Sequence, residues 1–288
     1  PETFHPRCAF DGEPRVKIFG KCILAGEHSV VRGRRAIVTP LRSRSFELEW
    51  VKSVGTGFEV EEGPFENAFT LAMEKACQTV NLPAGFWKFS VKSDIPPSAG
   101  LGSSAALSVA VARFFEQELG RKIDVFSLAL RLENIFHGSS SGLDLAAVLS
   151  PGPIVFRKGA EPKRLEPAWQ PHFYLSDTGL RSSTKACVAK VAALRRIDLD
   201  EKMENAVTEL EKALKIPNLD GVVSSLEQAA DVFRAWNLIP SEVEEQITAL
   251  KAKGALAVKP TGSGDGGFLL TLWAEKQTDP NLISIWDS

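Results

Sequence analysis

The sequence predicts an α+β protein of two domains, and three observations carry that expectation. The first quarter of the chain reads as strands, with Phe46, Leu48 and Trp50 alternating against Glu47 and Glu49. A Gly/Ser-rich loop at 95–106 then leads from a strand-like run onto a long apolar helix. Finally, Pro151-Gly152-Pro153 breaks the chain before a half with four helical segments and a second glycine-rich loop between strands. The chain has 288 residues, 44% hydrophobic and 24% charged, enough for one large domain or two ordinary ones. We divide it into 1–152 and 153–288, while strands on either side of the break could share a sheet.

In order along the chain, Val16-Lys17-Ile18-Phe19 reads as a strand entering a turn at Gly20, and Lys21-Cys22-Ile23-Leu24 resumes it. Ala36-Ile37-Val38 is a further apolar piece, 45–51 an alternating strand, and 55–63 a loop or hairpin. Phe65, Phe69, Ala72 and Ala76 recur with helical spacing and predict a helix over 64–80. Trp87, Phe89 and Val91 alternate with Lys88, Ser90 and Lys92, a half-buried strand. The run 105–119 has no Gly or Pro before its end and is apolar on nearly every side, so it reads as a buried helix. Asp124 is a fitting N-cap for a helix over 124–136, with Gly138 as its stop. A turn at 139–142 leads to Asp144 and a second apolar helix through Leu149. Strands are expected at 154–156 and 173–175, and helices at 184–194, 201–216 and 219–238. A last helix follows Pro240, where Ser241 and Glu244 form a capping-box pattern and Gly254 is the stop. Strands at 255–258 and 268–273 flank Thr261-Gly262-Ser263-Gly264-Asp265-Gly266-Gly267.

Charge and composition exclude several classes. The net charge of −2, with both signs spread along the chain, leaves no polybasic footprint for nucleic acid or an anionic membrane. No apolar run is long enough to span a bilayer, and the polar, irregular start at 1–14 has no apolar leader segment. The four cysteines are scattered without a CxxC pair, so a reducing cytoplasm is the default and a disulfide framework or zinc site is not expected. The helices of the second half would serve a homodimer interface as readily as a core.

Two loops suggest anion chemistry. In the first, two glycines and two serines open directly onto a helix N-terminus, where backbone N–H groups lack partners and the dipole favours negative charge. Ser103 and Ser104 add hydroxyls able to cap the helix, bind phosphate or ligate Mg²⁺. In the second, Gly262, Gly264 and Gly267 satisfy G-x-G-x-x-G, but a strand-like run follows where a dinucleotide fold needs a helix. A hairpin needs fewer glycines than this loop has, so close approach by a ligand or by another loop is expected. Taken alone, Lys21 reads as a solvated lysine, His28 as a turn residue, Glu133 as a solvated helix face and Asp144 as an N-cap.

The combination says more. Gly20-Lys21 with Gly26-Glu27-His28-Ser29-Val30-Val31, then Pro97-Ser98-Ala99-Gly100-Leu101-Gly102-Ser103-Ser104-Ala105-Ala106, then Lys259-Pro260-Thr261-Gly262-Ser263-Gly264-Asp265-Gly266-Gly267 resemble, in order, the three motifs of the GHMP small-molecule kinases. The resemblance covers essentially the whole chain. Within the superfamily the sequence is most similar to the mevalonate kinase branch, through Gly26-Glu27-His28-Ser29-Val30-Val31, through Glu133, His137-Gly138 and Ser141-Gly142-Leu143-Asp144, and through Asp177-Thr178-Gly179 with Thr184-Lys185. The resemblance implies a ribosomal S5 domain 2-like N-terminal domain, a ferredoxin-like C-terminal domain and an active site in the cleft between them. It implies ATP-dependent, Mg²⁺-assisted phosphorylation of the primary hydroxyl of mevalonate. By position, Asp144 matches the catalytic base and Lys21 the lysine beside it, while Glu133 and Ser104 match the Mg²⁺ ligands. Pro97, Ala99, Gly100, Leu101, Gly102, Ser103 and Ser104, with Gly262, Ser263 and Gly264, match the ATP-binding loops. Glu27, His28 and Thr184 fall on the substrate side.

Some positions depart from the family pattern. Phe19 and Ser140 stand where proline is common, and Ser263 and Asp265 where alanine and glycine are usual. Asp265 brings a carboxylate to a loop expected near phosphates, where like charge is unfavourable. Lys259-Pro260 is also similar to phosphomevalonate kinases. Readings left open are a kinase of another small alcohol (phosphomevalonate or a sugar), a diphosphomevalonate decarboxylase-like lyase, and a non-catalytic binding protein of GHMP descent.

Overall fold

The computed structural model describes residues 14–181 and 184–286; the polar stretch 1–13 lies outside them. Two sheets and eight α-helices make up the described chain. The first sheet is built on a long antiparallel hairpin, β1 (Arg15–Ala25) and β2 (Arg35–Ser53). β1 does not turn at Gly20. Its register slips there, from Phe19 opposite Ser45 to Gly20 opposite Leu41, so the strand continues through a bulge. The bulge brings β1 against the first glycine loop: the Lys21 N–H donates to Leu101 O at 2.9 Å. β2 fuses the two apolar pieces expected separately.

The 55–63 segment holds a strand, β3 (Gly57–Val60), rather than only a loop. It pairs in parallel with β4 (Phe86–Ser93), so the chain crosses over through α1 (Glu66–Cys77). β4 in turn pairs with β2. α2 (Ser103–Glu118) is buried, as its composition requires, and packs on β1 and β2 with α1 and α3 (Val125–His137) beside it. Phe114 meets Trp50, Trp87 and Phe89 edge-on at its inner end. Asp124 caps α3 as expected, accepting from Ser127 N–H at 2.9 Å.

α4 (Leu143–Leu149) follows the 139–142 turn, and 151–153 then turns into β5 (Ile154–Arg157). β5 returns to β2, and β6 (Lys163–Arg164) pairs with β5, so strands on both sides of the proline break share one sheet.

The second sheet is antiparallel, in the order β10-β7-β9-β8, from β7 (His172–Asp177), β8 (Ala257–Thr261), β9 (Phe268–Trp273) and β10 (Leu282–Ser284). The sequence did not signal the short β6 and β10. α5 (Thr184–Leu194), α6 (Ile197–Lys215), α7 (Leu219–Ala235) and α8 (Ser241–Ala252) lie between β7 and β8. α6 starts four residues before its expected position, with Asp198 and Asp200 in its first turn, where the dipole favours them. The capping box at α8 does not form. Pro240 is the N-cap, and Glu244 turns away to Arg234, 2.8 Å from it.

One apolar core runs through both halves, from Trp50 and Phe114 to Phe173, Leu210 and Leu270. A strip of ion pairs also ties them: Arg32 makes a two-pronged contact with Asp200, and Arg35 reaches Glu204 at 2.5 Å and Glu211 at 2.8 Å. Arg32 lies in the β1–β2 loop and Arg35 begins β2, and both sets of carboxylates lie on α6.

Candidate active site

Lys21 is the first side chain after the β1 bulge. It is almost fully buried, and its ammonium meets Asp144 Oδ1 at 3.0 Å. Gly102 makes room for it: a Cβ there would lie 2.8 Å from Lys21 Cγ, and the backbone has φ +84°. Gly102 is also the N-cap of α2, with no side-chain cap, so neither Ser103 nor Ser104 caps the helix. The first-turn N–H groups thus stay open to an anion beside a buried cation. Asp144 is not an N-cap either. Gly142 holds that position in α4, and Asp144 in the first turn faces Lys21 instead.

Glu133, in the last turn of α3, is buried and close to Asp144. Burial, with the Asp144 charge adding to it, pushes the Glu133 carboxyl up to about 8. Ser140 Oγ donates to Glu133 Oε2 at 2.7 Å. Ser104 Oγ lies 2.9 Å from His137 Nε2. Burial lowers the His137 pKa, with a contribution from Lys21.

On the opposite wall, Glu27 Oε1 pairs with the Lys259 ammonium at 2.5 Å, both groups buried. His28 Nε2 sits 2.9 Å from Ser263 O. A carbonyl only accepts, so Nε2 carries the proton and Nδ1 is left as an acceptor. Burial holds the ring neutral, with a pKa lowered to about 4. Phe233 and Trp236 meet the ring edge-on. Glu27 Oε2 and His28 Nδ1 are buried acceptors with no partner among the described residues. His28 (φ 59°) and Ser98 (φ 56°) also hold left-handed backbone that is costly for non-glycine residues.

These groups surround one cavity of about 610 Å³. Of the residues predicted from sequence, Lys21, Glu27, His28, Pro97, Gly100, Gly102, Ser103, Ser104, Glu133, Asp144, Thr184 and Gly262 line it. Ala99, Leu101, Ser263 and Gly264 lie outside its lining. Ala99 lies behind it, where the two glycine loops touch, while Leu101 O accepts from the Lys21 N–H, Ser263 O faces His28 Nε2 and Gly264 packs close to Phe233 and Leu238. A Cβ on Gly267 would stand 2.6 Å from Ala99 O, and one on Gly100 3.0 Å from Thr261 O. Close approach by the first glycine loop therefore accounts for Gly262 and Gly267, while Phe233 and Leu238 crowd Gly264 and Leu180 crowds Gly266. Asp265 likewise does not line the cavity; its carboxylate lies beside the Cys187 thiol of α5, which burial and that carboxylate push up to about 12. The expected conflict with phosphate is thus removed to the back of the loop.

Sequence reasoning named Lys185, His137, Ser140 and Lys259 as motif positions but gave none of them a role in the site. His137 lies four residues after Glu133, which puts both on one helix face. Lys259 sits in an apolar strand run, where a charge needs a buried partner. Glu133 and Ser104 offer a hard, oxygen-only donor pair beside a second carboxylate, which suits Mg²⁺ with phosphate and water filling its remaining positions.

Comparison with known proteins agrees with this geometry. Residues 67–152 match the model of the GHMP kinases N terminal domain. The mevalonate kinase of Aeropyrum pernix is 28% identical, with 93% of this chain and 91% of the relative covered. That of Archaeoglobus fulgidus is 29% identical, covering 92% and 94%. The crystal structure of L. major mevalonate kinase in complex with R-mevalonate superposes with a TM-score of 0.78 at 25% identity, covering 91% of this chain and 87% of that one. The fold and the matches together make the chain similar to the GHMP kinases, through their N-terminal domain over 67–152 and through mevalonate kinases over most of its length. Among the described residues no helix is long and apolar enough to cross a membrane.

Proposed function

We propose that the protein transfers the γ-phosphoryl group of ATP to the primary hydroxyl of mevalonate, giving 5-phosphomevalonate and ADP. The observation that carries the reaction class is the Lys21–Asp144 pair at 3.0 Å, inside the cavity and beside the open N-terminus of α2. Asp144 accepts the hydroxyl proton as that oxygen bonds to phosphorus and the bond to ADP breaks. Lys21 keeps Asp144 oriented and offsets the negative charge growing on the alcohol oxygen. The α2 N–H groups, with Ser103, receive phosphate oxygens. Glu133 and Ser104 are the residues that would hold Mg²⁺, whose chemistry when bound is to draw charge from the phosphate oxygens.

The choice of alcohol rests on polarity. Lys21 and Lys185 are the lysines lining the cavity, and Lys21 is engaged by Asp144. No ion pair holds Lys185 among the described residues, so it is available to a substrate carboxylate. Glu27 Oε2 and His28 Nδ1 call for hydroxyl donors. A hydroxy acid with a second hydroxyl, which mevalonate is, meets both demands, and a neutral sugar leaves the lysine unused. The relatives that resemble the chain over most of its length include mevalonate kinases, one of them in complex with R-mevalonate.

ADP release with R-mevalonate, phosphomevalonate and galactose, each with Mg²⁺ and ATP, tests this. R-mevalonate is expected to have the highest kcat/KM, with phosphorus NMR showing the ester at the primary hydroxyl. Preference for galactose or phosphomevalonate, or release of carbon dioxide, would overturn it. Lys185→Gln is expected to raise KM for mevalonate about tenfold or more, the value of one charged hydrogen bond. The neutral analogue 3-methylpentane-1,3,5-triol should be unaffected by that change, and equal effects on both would remove Lys185 from carboxylate recognition.

A further inference from the structure

Glu133 and Asp144 belong to different helices, yet the site needs them in a fixed relation. The turn between α3 and α4 contains Ser140, whose hydroxyl contacts both sides of it. We propose that Ser140 is a positioning residue for phosphoryl transfer, locking the Glu133 carboxylate to the amino end of the helix that carries Asp144. This rests on the reading of the cavity as a phosphoryl-transfer site.

A hydroxyl has one proton to give and lone pairs to receive. Ser140 Oγ gives its proton to Glu133 Oε2 at 2.7 Å and receives the Gly142 N–H at 3.1 Å. Gly142 is the N-cap of α4, has φ +82° and gets no help from a cap side chain of its own. Asp144 follows two residues later. Ser140 is itself anchored, its N–H donating to Asn134 Oδ1 at 2.7 Å, one residue past Glu133 on α3. Leu143 N–H adds a bond to Ser141 Oγ at 3.2 Å. The turn is thus closed by side chains, and among the described residues Ser140 alone joins the Glu133 carboxylate to the backbone that starts α4. With Oε2 engaged, no partner is found for Glu133 Oε1 among the described residues, and Glu133 and Ser140 both line the cavity. Ser140 therefore sets which carboxylate oxygen is presented to a cation there. Groups that hold a metal-binding carboxylate in this way are typically worth about 10–100-fold in affinity or activity.

The test uses the full chain with Ser140→Ala and Ser140→Thr. Mn²⁺ binding to the complex with a non-hydrolysable ATP analogue is measured by electron paramagnetic resonance, alongside kcat, KM and melting temperature. Ser140→Ala is expected to weaken Mn²⁺ binding about tenfold and lower kcat about 10–100-fold, with KM for the alcohol little changed. Ser140→Thr, which keeps the hydroxyl, should restore both to within about threefold of wild type. Mn²⁺ affinity and kcat within about twofold of wild type in Ser140→Ala would overturn the proposal. If the alanine variant does not fold, Ser140→Cys keeps the shape with a weaker donor and gives the same reading. Turnover is followed with whichever alcohol the wild type accepts. Refusal of mevalonate therefore counts against the substrate assignment, and unchanged Mn²⁺ binding counts against Ser140.

Discussion

Glu133 is a carboxyl group kept from water beside a second carboxylate, and that placement has a measurable cost. Its folded pKa, about 8, lies above the ordinary 4.5, chiefly through burial and secondly through Asp144. As pH rises between those values the unfolded chain gives up its proton first, so native stability falls across that window. Glutamine at this position has no proton to lose. Without nucleotide or metal, Glu133→Gln is therefore expected to melt above wild type near pH 8, the advantage shrinking steadily toward pH 4.5 and then levelling. Scanning calorimetry at several pH values checks this, and a difference that does not change with pH would contradict it. His28 runs the other way. Its pKa is lowered to about 4 by burial, so it contributes stability above pH 6.5 that is lost as pH falls toward 4. The two groups together place the best stability of the free protein between acid and mild alkali.

At the scale of elements, the junction of the two glycine loops is the feature that packing decides. Gly267 has φ +79°, and a Cβ there would stand 2.6 Å from a backbone oxygen. Gly267→Ala is expected to cost about 1–3 kcal/mol from left-handed strain, with crowding added, and a urea midpoint equal to wild type would refute the contact. Long periodic elements were legible in the sequence: α2 from its unbroken apolar run, α3 from its Asp124 cap, β4 from its alternation. Elements whose partners are distant in sequence were not. β3 has too few residues to signal its parallel pairing with β4, and β10 depends on β7 more than 100 residues earlier, at Ser176 opposite Leu282. The bulge at Gly20 looked like a turn because glycine serves both, and only contact with Leu101 O distinguishes them. In the site, spacing alone left Lys21, Glu133 and Asp144 as ordinary surface and cap residues. The first motif singled out Lys21 and the resemblance of the 133–144 segment singled out Glu133 and Asp144, and the fold brought Lys21 and Asp144 into contact. The same motifs could not say that Asp265 turns toward Cys187, because nothing local to the loop fixes which side its carboxylate takes.

Across the whole molecule, the two halves are joined by a buried charge pair as well as by apolar packing. Lys259 of β8 and Glu27 of the β1–β2 loop meet at 2.5 Å with at most 1% exposure, and Lys259 also donates to Pro260 O at 2.6 Å. Removing one partner strands the other charge. Lys259→Met is expected to destabilise by about 3–5 kcal/mol, and adding Glu27→Gln should recover part of that loss. Equilibrium unfolding of both variants checks it, and additive losses would mean that the charges do not depend on each other. The same pair sets Glu27 and His28 facing the wall that carries Lys21 and Asp144, so the joint between the halves is also the frame of the cavity. Everything proposed for that cavity depends on Asp144 taking the proton of the alcohol. The most direct test is the turnover of Asp144→Asn, measured with nucleotide affinity in the same preparation. Asparagine keeps the size of the side chain but not its charge or basicity. A fall in kcat of about 10²–10⁴ with nucleotide affinity retained is the predicted result. Near-normal kcat would contradict it and remove Asp144 as the base.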